Sequence, residues 1–577
     1  MCARARWSSI LPVPFVAAAL LLTPARALPA AVVPGAPATY AAAVDTALAR
    51  VRAGRGSEAL VPLRRALAIS PDDAAMWLLR GDLAADARGT AEAVDSYRHA
   101  LQLGARTPAV VAEDLARAFA GGGERDSALT WLEQSIAWGN EHRPELGSDS
   151  AFVSLFGEAR FRAATGQLPA REFTRDEGWR YDLDYLVSEV KRMHYRYRVQ
   201  ALPPEFENDH LALERRIPEL SDGQVLLALQ RLLVRLGDGH STLYPVSERT
   251  GPWPVVPLRT YLFRDGAWVV EADSAHASAI GKRVLSINGV PIDRVLADLP
   301  AVIPHDNAMG VRWMAPLFLT MPDLVAVSGD GSVASSITFE LAERAGKPSR
   351  MTVTPGMSPG NAHVHIPRLT PSRLAGAGPV PRWMAHMDDP YWFGPLEDSS
   401  IVYLQFNEVA NDRRERLRDF AARLTTYLDG HDVRDLVVDV RHNNGGNGNL
   451  NVSLERALVR FEGGLPGRKL WVITGRGTFS AAQSFINDIE RLTSATFAGE
   501  PSSSRPNFIG ESTSLLLPWS GAIGSISTRL HSSRDADERT WIAPRLPVEL
   551  SSFDYFANRD PVLEAVVAAA KARRPAP

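Results

Sequence analysis

The sequence predicts an α/β multidomain protein, and three observations carry that expectation. Small residues recur with a period near 34 in the N-terminal part. Short strand-like runs separated by polar turns fill 255–355. After Ile401, strand-like and helix-like segments alternate, the rhythm of a largely parallel sheet covered by helices. At 577 residues the chain exceeds a single core, so several domains are expected. Its 63 basic and 66 acidic residues give a formal charge of -3. Such a balance provides no basic face, and nucleic acid is not an expected partner.

Residues 1–27 read as an export signal. Arg4 and Arg6 precede the apolar run ILPVPFVAAALLL, and Ala25-Arg26-Ala27 offers a small-x-small cleavage site. The other reading is an uncleaved anchor, but the run is shorter than the roughly 20 apolar residues a span needs. Export to a periplasmic or extracellular location is the expectation, with no membrane span once the signal is removed. The single cysteine, Cys2, lies inside this segment. The mature chain would then hold no thiol nucleophile, zinc-thiolate site or disulfide.

Residues 28–165 follow as helical repeats. Ala59, Ala93 and Ala128 mark one position, and Ala66, Ala100 and Ser135 mark another. The period and the small residues resemble tetratricopeptide repeats. Two readings stand: a docking surface for a protein partner, or a packing appendage on the next domain. Residues 170–250 keep a helical period, as in YDLDYLVSEVKRMH and SDGQVLLALQRLLVRLG. Within 255–355, Gly281-Lys-Arg-Val-Leu-Ser-Ile-Asn-Gly-Val-Pro resembles a turn of PDZ-type domains, which take peptide termini by strand addition. Residues 355–395 read as loop, and 380–577 as the α/β core.

Three pieces of sequence carry candidate chemistry. In KLWVITGRGTFSAAQSFINDIER, a buried-type strand and two glycines lead to Ser480 at the start of a helix. There a serine alkoxide and an oxyanion would both lie in the positive end of the helix dipole, with the Ala481 amide as a donor. The competing reading is a capping box, Ser480-Ala-Ala-Gln483, in which the serine only closes the helix. The strand 435–441 runs into His442-Asn-Asn-Gly445-Gly446-Asn-Gly. Its glycines either aim amides into a cleft or make an ordinary turn, and His442 reads as a solvated loop residue. Finally, Leu236-Gly-Asp-Gly-His240-Ser241 exposes an imidazole on a tight turn, a general base or an incidental histidine.

Together these pieces resemble the serine-peptidase family of C-terminal processing proteases, tricorn proteases and interphotoreceptor retinoid-binding protein. GDGHS is similar to its GDxHT segment, VVDVRHNNGGN to its D-x-R-x-N-x-G-G loop, and TFSAAQSF to its T-x-S-A-A-E segment. FDYFANRDPVLEAV resembles its C-terminal signature. The resemblance spans about 170–577. It implies a crotonase-like (ClpP-like) α/β catalytic core with a PDZ-like β-rich insert, and Ser480 as nucleophile. Where processing proteases carry a dyad lysine, this chain has Gly499-Glu-Pro-Ser-Ser-Ser-Arg505, and arginine cannot act as a base. His240 then takes that role by analogy with the tricorn branch. The oxyanion donors would be Ala481 with Gly445 or Gly446. The group orienting His240 stays open among Asp238, Ser241 and Glu538.

The implied function is a serine-type peptidase acting on peptide or protein substrates without a cofactor. His363-x-His365 lacks an identifiable third ligand, so no metal site is expected. Two other readings remain: a silent family member that binds a peptide or hydrophobic ligand, and a repeat-based scaffold.

Overall fold

The computed structural model describes residues 39–573, except 245, 248–250, 253–254, 322–335, 345, 357–367 and 375. The expected signal 1–27 and the pair His363 and His365 lie outside the described residues. Contacts divide the chain into two units, 1–106 and 107–577. The division falls inside the 28–165 repeat span. The first unit holds helices Tyr40–Arg52, Gly56–Ile69, Ala74–Asp86 and Thr90–Gln102. Ala59, Ala66, Ala93 and Ala100 are fully buried there. Their methyl groups let neighbouring backbones approach, which is why small residues recur.

In the second unit, Pro108–Gly121 and Arg125–Ala137 form a further helix pair. The segment after this pair is tied to the body of the same unit. Arg143 pairs with Glu189, Arg192 Nη1 donates to the Asn140 carbonyl at 2.9 Å, and Thr513 Oγ1 donates to the Glu141 carbonyl at 3.0 Å. A chain beginning at Thr107 is therefore expected to fold as the full chain does. One beginning at Gly166 leaves Glu189 half-paired in a buried setting and is expected to lose about 2 kcal/mol or more. Thermal unfolding of the two truncations checks this.

Helices Arg175–Met193, Pro204–Arg216 and Asp222–Val234 follow in the chain. They pack on a sheet built from Thr242–Leu243 and the hairpin Phe508–Leu516 with Ile523–His531. Next comes a β-rich module of strands Leu258–Phe263, Gly266–Ala272, Arg283–Ile287, Ile337–Ala342 and Ser349–Val353, hydrogen-bonded in that order. The Asn288-Gly289 pair closes a two-residue hairpin between Ile287 and Val290, both at positive φ (50° and 79°). That is the geometry Asn-Gly favours. Helix Ala308–Phe318, which strand patterning did not anticipate, packs against the first of these strands.

The α/β core is a six-stranded sheet in the order Tyr391–Pro395, Ile401–Phe406, Asp435–Asp439, Lys469–Thr474, Thr496–Gly499, Leu546–Pro547. The first pair is antiparallel and the others are parallel. Ile401–Phe406 and Asp435–Asp439 are buried throughout, which explains their unbroken apolar reading. Helices Leu417–Gly430, Asn451–Gly464 and Ala481–Leu492 cover one face, and Pro561–Ala572 covers the other. The helices of the first face arise from chain that returns over the sheet between parallel strands. The strand Lys469–Thr474 ends at the point where the chemistry begins. No helix among the described residues is long and apolar enough to cross a membrane.

Candidate active site

The turn after Thr474 is rigid. Gly475 N–H donates to Thr478 Oγ1 at 3.1 Å, Thr478 N–H donates back to the Gly475 carbonyl at 2.9 Å, and Thr478 Oγ1 donates to the Val440 carbonyl at 2.9 Å. Arg476 forms a buried ion pair with Glu500 and donates through Nη1 to the Leu262 carbonyl at 2.7 Å. Phe479 N–H reaches the Asn443 carbonyl at 3.1 Å. Ser480 is thereby forced to φ 55°, ψ -122°, a conformation serine rarely adopts.

This backbone bears on the capping reading of Ser480. Its side chain makes no capping hydrogen bond, so the capping box does not form. Gln483 instead donates along the helix to Asn487 Oδ1 at 2.8 Å. Positive φ turns the hydroxyl away from the first-turn amides. The Ser480 N–H donates to Ser504 Oγ at 3.1 Å. The Ser480 hydroxyl has no hydrogen-bond partner among the described residues, and Ser480 lines a cavity of about 350 Å³.

The glycine loop presses on this residue. A Cβ at Gly445 (φ 113°) would lie 2.8 Å from Ser480 Cβ and 3.0 Å from Ala481 N. The Gly445 amide is spent on Asn443 Oδ1 at 3.0 Å. Val409 N–H donates to the Gly445 carbonyl, and Asn447 N–H to the Val409 carbonyl, both at 2.8 Å. The amides of Gly446 and Ala481 make no hydrogen bond within the described residues. Of the oxyanion donors expected from sequence, Ala481 and Gly446 are uncommitted, whereas Gly445 contributes its missing side chain.

His240 reaches the same cavity. Its ring stacks on Phe479, the residue before the serine, with centroids 4.3 Å apart, and on Phe508 at 5.6 Å. Neither ring nitrogen completes a hydrogen bond of normal geometry. Burial pushes the imidazole down to about 4; the Asp238 charge opposes that shift, and the Ile509 backbone stands close enough to oppose it too. The ring is thus neutral at physiological pH, as a proton acceptor must be. Ser480 and His240 share one cavity without a hydrogen bond between them.

Among the described residues, none of the three orienting candidates hydrogen-bonds the imidazole. Asp238 Oδ1 accepts the His240 and Ser241 amides at 2.9 and 2.7 Å and the Ser527 hydroxyl at 2.6 Å, while Oδ2 faces His194 Nε2 at 3.0 Å. Burial alone would raise this carboxyl, but the His194 hydrogen bond and charge, with Ser527, hold it below its ordinary value. Asp238 therefore holds the turn by hydrogen bonds and reaches the ring only through its charge. Ser241 is committed to Ser527, donating at 3.1 Å and accepting its N–H at 3.1 Å. Glu538 is exposed.

His442 also departs from expectation. It is stacked on Trp383 at 5.0 Å and lines a smaller cavity of about 60 Å³ beside Gly475 and Gly477. Burial, then the Arg441 charge, pushes it down to about 3. Arg505, standing where a dyad lysine would be, donates through Nε to the Asp306 carbonyl at 2.8 Å. Among the described residues no cluster of three or more His, Cys, Asp or Glu is placed to hold a metal.

Sequence reasoning missed Asp306, Ser504 and Trp313. Asp306 is 4% exposed and accepts the Gly239 amide on Oδ1 at 2.9 Å, while its Oδ2 completes no hydrogen bond. Trp313 walls both cavities. Nothing in their local sequence marks them. The one available signal was the polar turn His305-Asp306-Asn307, followed by an apolar helix.

No protein-family model matches the sequence, and no curated protein matches it. Solved structures do resemble its fold. Mature CPAF is 13% identical, covering 68% of this chain and 97% of its own, with a TM-score of 0.49. Photosystem II D1 C-terminal processing protease is 14% identical, covering 65% and 94%, with a TM-score of 0.31. A putative S41 protease from Bacteroides fragilis is 12% identical, covering 71% and 100%, with a TM-score of 0.32. At such identities the likeness is one of chain course, and the chemistry rests on the geometry of Ser480 and His240.

Proposed function

We propose that this chain is a serine peptidase whose nucleophile is Ser480. The observation that carries the reading is the serine itself. It is held at positive φ between a parallel strand and a helix, its hydroxyl is uncommitted, and it faces a cavity shared with a neutral histidine. Ser480 Oγ attacks the peptide carbonyl as its proton passes to an imidazole nitrogen of His240. The carbonyl electron pair becomes an oxyanion, received by the Ala481 and Gly446 amides. Collapse breaks the C–N bond, and the imidazolium returns the proton to the leaving amine. Water then repeats the sequence on the acyl-serine. One oxyanion donor is worth roughly 10²–10³ in turnover.

The same proposal includes a crotonase-like core with a PDZ-like module, export through 1–27, and partner docking on the N-terminal helical repeats. Its test is incubation with an unfolded polypeptide and sequencing of the products. New amino termini that Ser480→Ala no longer produces support it. An intact substrate speaks against it. The apolar lining of the cavity, including Leu243, Leu317 and Phe318, favours a second reading, a binder of hydrophobic ligands. That reading predicts saturable binding of an apolar fluorophore with no hydrolysis.

A further inference from the structure

Ser480 and His240 stand on elements far apart in sequence, and something must hold one against the other. Two residues, Asp306 and Asn307, do so. The Asp306 carboxyl receives the Gly239 amide, next to the base. The Asp306 carbonyl receives Arg505 Nε at 2.8 Å, and Asn307 Nδ2 donates to the Ser502 carbonyl at 3.1 Å. Ser504, between those two anchor points, accepts the Ser480 amide. A Cβ at Gly239 would meet the Phe479 ring at 3.1 Å and Asp306 N at 3.4 Å, so the turn, the ring and the aspartate are in close contact. The result is a continuous bridge from the base-bearing turn to the backbone of the nucleophile.

Within this bridge, Asp306 Oδ2 and the two nitrogens of His240 are buried and complete no hydrogen bond of normal geometry among the described residues, although the Ser504 hydroxyl and the Ile509 backbone stand close to them. Orphaned atoms of this kind cost stability and are rarely kept without use. Asp238, the nearby acid named by the sequence, is already saturated by four donors. Resting on the peptidase reading, we infer that Asp306 is the positioning residue of this site. It fixes the His240 turn against Ser480, and its ionised carboxylate favours the imidazolium that forms when His240 takes the serine proton.

The titration of Asp306 supports this assignment. Burial raises the carboxyl to about 7, and the Asp238 charge adds to that shift. The Gly239 amide, Arg505 and the Ser504 hydroxyl oppose it. The titratable groups around the pair include His305 in the adjoining chain, His531, whose charge opposes protonation of His240, and His194 behind Asp238. Below about 7 the Asp306 carboxyl is neutral and adds nothing to the Asp238 charge that favours the imidazolium. Above it the carboxylate is negative and makes His240 a stronger base. Reactivity of Ser480 should therefore rise with pH through about 7, on account of a carboxyl and not of the imidazole, which sits near 4.

The test is the rate at which a fluorophosphonate probe labels the full-length protein across that range. The native chain is expected to show a rise centred near 7. Asp306→Asn keeps an acceptor for the Gly239 amide but cannot ionise. Its profile is expected to be flat, with labelling about tenfold or more slower on the alkaline side and little changed on the acidic side. If Asp306→Asn does not fold, Asp306→Glu, which keeps an ionisable group on a longer arm, is expected to retain the step at a displaced midpoint. A flat native profile, an Asp306→Asn variant that keeps the native step, or an unmoved midpoint in Asp306→Glu overturns the inference. A native protein that no probe labels at any pH overturns the peptidase reading itself.

Discussion

Ser480→Gly is expected to be more stable than the native chain and inert. At φ 55°, ψ -122° the native serine carries backbone strain, which for a non-glycine residue costs about 1–3 kcal/mol. Glycine relieves that strain. It gives up about 0.4–1 kcal/mol through the freer unfolded chain. No capping bond is lost, because none exists. The net gain is about 1 kcal/mol, which raises the unfolding midpoint of a unit spanning 107–577 by roughly 1 °C and shows directly in urea unfolding. Hydrolysis should fall by roughly 10³-fold or more. A helix-capping serine gives the opposite sign, a loss of about 0.5–2 kcal/mol on removal of the side chain. Thermal unfolding and an activity assay on one preparation separate the two roles.

His240→Phe should behave in the same way for a different reason. Phenylalanine keeps the stack on Phe479 and Phe508 and removes two buried nitrogens that have no partner. Replacing unsatisfied polar atoms by apolar ones of similar shape is neutral or stabilising. Activity is expected to fall by roughly 10⁴-fold, and combining the change with Ser480→Gly should add little, since the two residues act as a unit. A pH dependence follows with a definite sign. The imidazole is depressed in the folded chain to about 4, so between that value and its unfolded value near 6.5 the unfolded state binds more protons. Native stability therefore falls on acidification through this window, by on the order of 2–3 kcal/mol from His240 alone. The phenylalanine variant lacks that loss. Its advantage over the native chain should be small at neutral pH and should grow as pH drops toward 4, as urea unfolding at several pH values will read.

Much of this site is legible in the sequence. The strand–turn–helix around Ser480 follows from a buried-type strand, two glycines and an amphipathic helix, all within one local stretch. The strand leading to Gly445 and Gly446, and the tight turn before His240, are equally local. What sequence does not resolve depends on contacts between distant segments. Gly446 is separable from Gly445 only because Asn443 consumes one of the two amides. Ser480 fits a capping box by residue type, and only its positive φ, imposed by Thr478, Arg476 and Asn443, denies it that bond. His442 is half-buried because Trp383, from the loop region before the core sheet, covers it. The hairpin Phe508–Leu516 with Ile523–His531 was not anticipated, since the first strand buries its residues irregularly and bends at Glu511, which has φ 53°. Helix Ala308–Phe318 is hidden inside a region whose neighbours all pattern as strands. Asp306 has no local signature, because its meaning lies in what it touches on the turn 238–241 and on 502–505.

At the centre of the proposed reaction stands Ser480 as nucleophile with His240 as its base. Peptide mapping after fluorophosphonate treatment tests this most directly, because the adduct reports which hydroxyl has reacted. One modified residue, Ser480, is expected in the native protein, and no adduct there in His240→Phe. An adduct on another serine such as Ser504, or equal labelling of Ser480 with and without His240, would contradict it.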